Sequence, residues 1–192
     1  MPHRAFARRV WRNDSCSRED RGADVDTINV SRRIEVERQV VISARPFDHV
    51  VARLEAAIGR PDMRVFARGV ATAKTVADVA RVVHDSIGAS GLMEMARFDL
   101  AQMLRKETGT DSPKILRLVV GNPLMMKEMV EQVRDAASYA AVTILVDERA
   151  DGVYLSYDTM SSIIAPYGNA DAMRVAQELD AKVAALLTAA AV

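Results

Sequence analysis

The residues best placed to do chemistry in this chain fall into two clusters. Gly121-Asn122-Pro123 lies between the apolar run at 115–120 and a stretch with helical spacing. Glycine permits a sharp turn there, Asn122 can cap the first helical amides, and Pro123 suits the first helical position, where its missing donor costs nothing. Free amides at a helix start can also hold a carboxylate or phosphate, so a ligand role and a plain capping role fit the same residues. The glycine pattern and lysine of a dinucleotide or P-loop motif are absent. The second cluster is Tyr154-Leu155-Ser156-Tyr157-Asp158, with Tyr167 downstream. Strand alternation puts Tyr154, Ser156 and Asp158 on one face and Leu155 and Tyr157 on the other. The first face could line a polar pocket or simply meet solvent. Asp158 would act as a general acid only if burial or a second carboxylate raised its pKa. The candidate ligand-binding set is therefore Gly121, Asn122, Tyr154, Asp158 and Tyr167, with no catalytic residue assigned.

Other reactive side chains form no motif. Glu94, Asp99 and Glu107 have no spacing that would hold two of them across a substrate, and His3, His49 and His84 are dispersed. His49 and His84 each adjoin an aspartate, but neighbours on a helix face different directions. Met93, Met95, Met103, Met125, Met126 and Met129 could be drawn as a soft-metal site, yet core filling explains their spacing better. Cys16 is the single cysteine, so no internal disulfide or cysteine-based zinc site is expected, and a reducing, cytoplasmic setting fits. Neither a metal nor a cofactor is expected.

Composition narrows the function classes. The 192 residues carry 26 Lys and Arg against 26 Asp and Glu, so no net field attracts nucleic acid or an anionic membrane. Aromatics make up 5% of the chain, too few rings for a nucleic-acid stacking platform. No apolar run approaches the ~20 residues that span a bilayer, and the start lacks the apolar segment of a secretory signal. Arg4, Arg8, Arg9 and Arg12 form a basic start without an acid, read as a disordered leader or an over-extended start in preference to a transit peptide or basic arm. Residues 1–30 lack a sustained apolar period and are expected to be a tail; 31–192 should form one domain.

The elements that must position both clusters are legible as periodicities. A first strand is expected over 34–43, through Ile34, Val36, Val40 and Ile42. A helix then starts at Pro46 and buries Phe47, Val50, Val51, Leu54 and Ile58 before Gly59 and Pro61. Residues 62–89 read as helical, with Thr75-Val76-Ala77-Asp78 resembling a capping box and Val76, Val79, Val83 and Ile87 on one face. A strand over 92–100, with a helix as the open alternative, a short helical turn over 101–107 and a buried strand over 115–120 follow. After Pro123 a helix should bury Met125, Met126, Met129, Val130, Val133 and Ala137. Strands at 142–147 and 153–158 are joined through Asp151-Gly152, a hairpin signal. The last helix is capped by Asn169 and should bury Met173, Ala176, Leu179, Val183 and Leu186.

Taken in order, a helix beginning Pro46-Phe47-Asp48, then Leu104-Arg105-Lys106-Glu107, the strand leading into Gly121-Asn122-Pro123, and the hairpin with its closing helix resemble the bacterial and archaeal family named domain of unknown function 302. The resemblance spans about 33–187. It implies an α+β fold: an antiparallel sheet of about five strands with helices packed on it, in a topology similar to the TATA-binding-protein half-repeat. The helical stretch at 62–89 then reads as an insertion. The resemblance also implies a compact, often dimeric domain. Many members carry Cys before Asn-Pro, where this chain has Gly121, so a thiol role could not operate here. The family has no established activity, and fold does not carry function. The expected function is a non-catalytic, homodimeric module that binds a small ligand or a protein partner, with no nucleic acid and no membrane. The alternative is an enzyme of unknown reaction with a polar site near Asn122, Tyr154, Asp158 and Tyr167.

Overall fold

Alternation of β-branched and polar residues builds one antiparallel sheet in the computed structural model, which describes residues 31, 33–111 and 113–192. The expectations for the 1–30 tail, including Cys16 and His3, lie outside the described residues. The strands are β1 (Arg38–Ser43), β2 (Met93–Asp99), β3 (Ile115–Gly121), β4 (Val142–Arg149) and β5 (Gly152–Asp158), in the spatial order β1-β5-β4-β3-β2. The helices are α1 (Phe47–Ala57), α2 (Met63–Thr72), α3 (Val76–His84), α4 (Gln102–Thr108), α5 (Pro123–Gln132), α6 (Met160–Ile164) and α7 (Ala170–Ala190). This is the α+β architecture that the resemblance implied. Arg33–Val192 forms one compact unit.

One face of the sheet carries the core. Leu116, Leu118 and Val120 of β3, Val142, Ile144 and Val146 of β4, and Val153, Leu155 and Tyr157 of β5 are buried in one cluster with Val50 and Leu54 of α1, Met129 of α5 and the apolar stripe of α7. The period of two sends the intervening residues to the opposite face. Across that face the register aligns Phe98, Arg117, Leu145, Ser156 and Val40 in one row. Val40, Ile42, Phe98 and Leu100 are exposed there, so among the described residues no helix covers this side.

Several elements depart from their expected limits for identifiable reasons. β1 begins only at Arg38, with Ile34 and Val36 ahead of it, and its Val40 and Ile42 point to the open face. The 62–89 stretch divides into α2 and α3, because Ala73 and Thr75 take extended backbone and Thr75 starts a new helix with a complete Thr75–Asp78 capping box. Val83 is buried on α3 but Val76 is exposed, since the first turn overhangs the body. α5 stops at Gln132; Val133 turns extended and a 3₁₀ turn, Arg134–Ser138, carries the chain to β4. The hairpin loop is Ala150-Asp151, with Gly152 inside β5 at φ +150, so Asp-Gly is not the central pair. In α7 the stripe runs through Ala172, Val175, Ala176, Leu179, Val183, Leu186 and Leu187, and Met173 is half-buried.

Candidate ligand-binding site

A cavity of about 460 Å³ lies where the open face meets the 3₁₀ turn before β4 and helix α6. Its polar lining comes from Arg38, Arg117, Ser138, Thr143, Ser156 and Asp158, and its apolar lining includes Tyr139, Leu145 and Ile163. Arg38 and Asp158 face each other across the β1–β5 pairing and form a two-pronged ion pair, Nε to Oδ1 at 2.6 Å and a guanidinium nitrogen to Oδ2 at 2.8 Å. That hydrogen-bonded arginine holds the Asp158 carboxyl below its ordinary range, the opposite of what a general acid needs. Arg117 stands differently. Its register neighbours are Phe98 and Leu145, and its guanidinium lies 5.6 Å from the Phe98 ring centre. Among the described residues no carboxylate pairs with it. The hydroxyls of Ser138, Thr143 and Ser156 likewise make no hydrogen bond among the described residues.

The five residues singled out from sequence do not share this cavity. Asp158 lines it; Gly121, Asn122, Tyr154 and Tyr167 do not. Asn122 is the N-cap of α5: its side-chain oxygen accepts from the Leu124 amide at 2.9 Å and its side-chain nitrogen donates to the Gly91 carbonyl at 3.0 Å. Both ends of the amide are thus consumed by the fold. Gly121 sits where an added Cβ would stand 3.3 Å from the Ala140 carbonyl and 3.5 Å from the Met95 methyl, so space rather than backbone angle favours glycine. Tyr154 is on the open face as alternation requires, with its hydroxyl donating to Asp151 at 2.7 Å and Arg149 stacked 4.0 Å over its ring. Tyr167, in the 3₁₀ turn Ala165–Tyr167 after α6, packs against the helix-side core. The polar site near Asn122, Tyr154, Asp158 and Tyr167 is therefore split between the two faces of the sheet.

Several other ionisable groups are neutralised by neighbours of opposite charge. Arg97 bridges Glu55 at 2.7 Å and Glu94 at 2.9 Å, fastening α1 to β2. Arg105 binds Asp99, whose carboxyl is held low by that hydrogen bond. Lys114 reaches Asp48 at 2.8 Å. A second cavity of about 540 Å³, lined by Phe47, Val51, Ile115 and Leu116, borrows these same three cations, each already neutralised. Among the described residues no group of three or more His, Cys, Asp or Glu could hold a metal ion, and no helix is long and apolar enough to cross a membrane.

Two groups escaped the reading of the sequence. Arg117 interrupts the run Ile115-Leu116-Arg117-Leu118-Val119-Val120, whose apolar character predicts a buried strand. A lone arginine in such a run marks a strand buried on one face only. Asp180 is buried on α7, and its carboxylate accepts from the Tyr157 hydroxyl, from the Met160 amide at 2.8 Å and from the Ser161 amide at 3.0 Å. It lies four residues after Ala176 and three before Val183, so an acid on the apolar stripe was the available signal.

Residues 68–190 match the family described as Domain of unknown function DUF302. The match opens inside α2, so it takes in all of α3, while β1 and α1 precede it. A solved structure, described as the crystal structure of uncharacterized conserved protein DUF302 from Bacillus stearothermophilus, is similar over 80% of this chain and 97% of that one, at 12% identity and a TM-score of 0.54. At that identity the likeness shows the fold alone. No curated protein matches the chain.

Proposed function

This chain belongs to the domain of unknown function DUF302 family, and from that premise we propose that it is a non-catalytic binding domain acting as a homodimer, with a small molecule held in the cavity beside Arg38 and Asp158. The observation that carries the reading is the open sheet face, which leaves Val40, Ile42, Phe98 and Leu100 exposed and ends in that cavity. Exposed apolar surface of this kind marks interaction sites on soluble domains. Its distribution suits a second copy: one apolar pair sits on edge strand β1 and the other on edge strand β2 and the turn that follows it, at opposite sides of the sheet. A two-fold axis parallel to the strands, lying over the middle of the face, sets each pair over the other pair of the partner, the self-complementary pattern of an isologous interface. The cavity, for its part, has a volume in the range of small-molecule sites and a few polar groups over an apolar wall. We place the domain in the cytoplasm, a setting that suits a chain with one cysteine.

Native mass spectrometry of the full chain, purified without denaturation, tests both halves. A dimer mass, with extra mass retained at low activation, is the expected result. A bare monomer at micromolar concentration that also shows no thermal shift across a broad metabolite set would sink the reading.

A further inference from the structure

We propose that the cavity beside Arg117 is a site for a small organic monocarboxylate with an apolar body, gripped through the Arg117 guanidinium. The inference rests on the binding-domain reading above and names the chemistry of its ligand. Three charged side chains line the cavity, Arg38, Arg117 and Asp158. Arg38 and Asp158 cancel each other in their two-pronged pair, which leaves the single positive charge of Arg117. A fixed, planar guanidinium matches a carboxylate by two parallel hydrogen bonds. The Phe98 ring behind it, 5.6 Å from the guanidinium, holds the fork in place without consuming its donors.

The other groups set the size and charge of the ligand. The hydroxyls of Ser138, Thr143 and Ser156 are free to complete the shell around a carboxylate. Tyr139, Leu145 and Ile163 offer an apolar wall for the rest of the molecule. A dianion such as a phosphate ester would leave one negative charge unmatched beside Asp158, where like charges repel. A neutral compound would leave Arg117 without an anion. The second cavity offers no such grip, because Arg97, Arg105 and Lys114 are already bound to carboxylates.

Calorimetry and amide-resolved NMR on the full chain, titrated separately with phenylacetate, phenylacetamide and inorganic phosphate, test the assignment. Phenylacetate is expected to shift the amides of Thr143, Ser156 and Asp158 and to bind at least ~10-fold more tightly than the amide, since one charge-assisted pair is worth that much. Arg117→Gln should erase the preference, and Arg117→Lys should keep part of it, because charge remains while the fork is lost. Both variants alter an exposed side chain, and a folded spectrum in each shows that the loss is local. Equal binding of acid and amide, no binding of phenylacetate, or tighter binding of phosphate at the same amides would overturn the proposal. If phenylacetate fails while native mass spectrometry shows a retained neutral compound, the carboxylate chemistry falls and the binding-domain reading stands.

Discussion

Asp180 is the residue on which the helix side of the domain turns. A buried carboxylate is costly unless hydrogen bonds replace its water, and here two backbone amides and a phenol do so. The amides are those at the start of α6, so a side chain from α7 supplies the cap that Thr159 does not make with its own side chain. Asp180→Ala removes the acceptor of the Tyr157 hydroxyl and the Ser161 amide and leaves the Met160 amide only its 3.1 Å bond to the Tyr157 oxygen, so it should destabilise by ~3 kcal/mol in urea unfolding. Tyr157→Phe should cost less, ~1–2 kcal/mol, because the carboxylate keeps both amides. Burial, and then the hydrogen bond to Asp180, push the Tyr157 phenol above its ordinary range. A raised phenol contributes stability that is complete below the unfolded value of ~10 and is lost as pH rises beyond it. Wild-type stability should therefore fall above pH ~10, and Tyr157→Phe should flatten that limb; an unchanged slope would refute the coupling. Thr159 is the reverse case. Its hydroxyl is buried without a partner, so Thr159→Val should raise stability by ~1 kcal/mol, read as a higher urea midpoint.

Between elements, the tightest joint is where α1, α3 and β2 meet. The Leu92 carbonyl accepts from both the Gly59 and Gly88 amides, at 2.9 Å each, while Ser90 donates to the Ala57 carbonyl. A Cβ at Gly59 would overlap the backbone at Ser86–Gly88, and one at Gly88 the backbone at Ala57–Gly59, so neither side can yield independently. Gly88→Ala should cost ~3 kcal/mol or prevent folding, whereas Gly109→Ala, with nothing within 4 Å of the added carbon, should cost only its left-handed backbone penalty of ~1 kcal/mol. Equal losses in thermal unfolding would remove the joint from the account. At the β1–β5 edge, the depressed Asp158 carboxyl contributes stability above its unfolded value of ~4 that is lost as pH falls through the lower folded value. Asp158→Asn should flatten the acid limb of the stability profile, by an amount reduced because the pair is open to solvent. Elements with strong local signals were the legible ones: Asn122 and Asn169 cap their helices through their side chains, as their positions imply, and Thr75–Asp78 forms its capping box. The Gly59–Gly88 joint was not legible, because two glycines 29 positions apart declare their contact only once α1 and α3 have docked.

At the scale of the whole molecule, the sheet has one wet face and one dry face, and the residues proposed for binding are on the wet one. Alternation in 153–158 separated Tyr154, Ser156 and Asp158 from Leu155 and Tyr157. It could not say which other strands lay beside them, so Arg38 and Arg117, 79 positions apart, emerged as lining one cavity only through the order β1-β5-β4-β3-β2. The same order sets Val40 and Ile42 at one edge of the wet face and Phe98 and Leu100 at the other. If a second copy covers that face, folding and association are linked, and the unfolding midpoint must rise with protein concentration by mass action. The expected shift is several degrees between 1 and 100 μM chain, for a dimer whose folded protomer is only marginally stable alone. Val40→Glu with Phe98→Glu puts a charge into both apolar pairs while leaving the helix-side core untouched, so it should yield a monomer whose midpoint no longer depends on concentration. A wild-type midpoint that is constant over that range, with a monomer mass in sedimentation, would assign those four side chains to a different partner. It would leave the Arg117 cavity unaffected, since every group that lines it belongs to one chain.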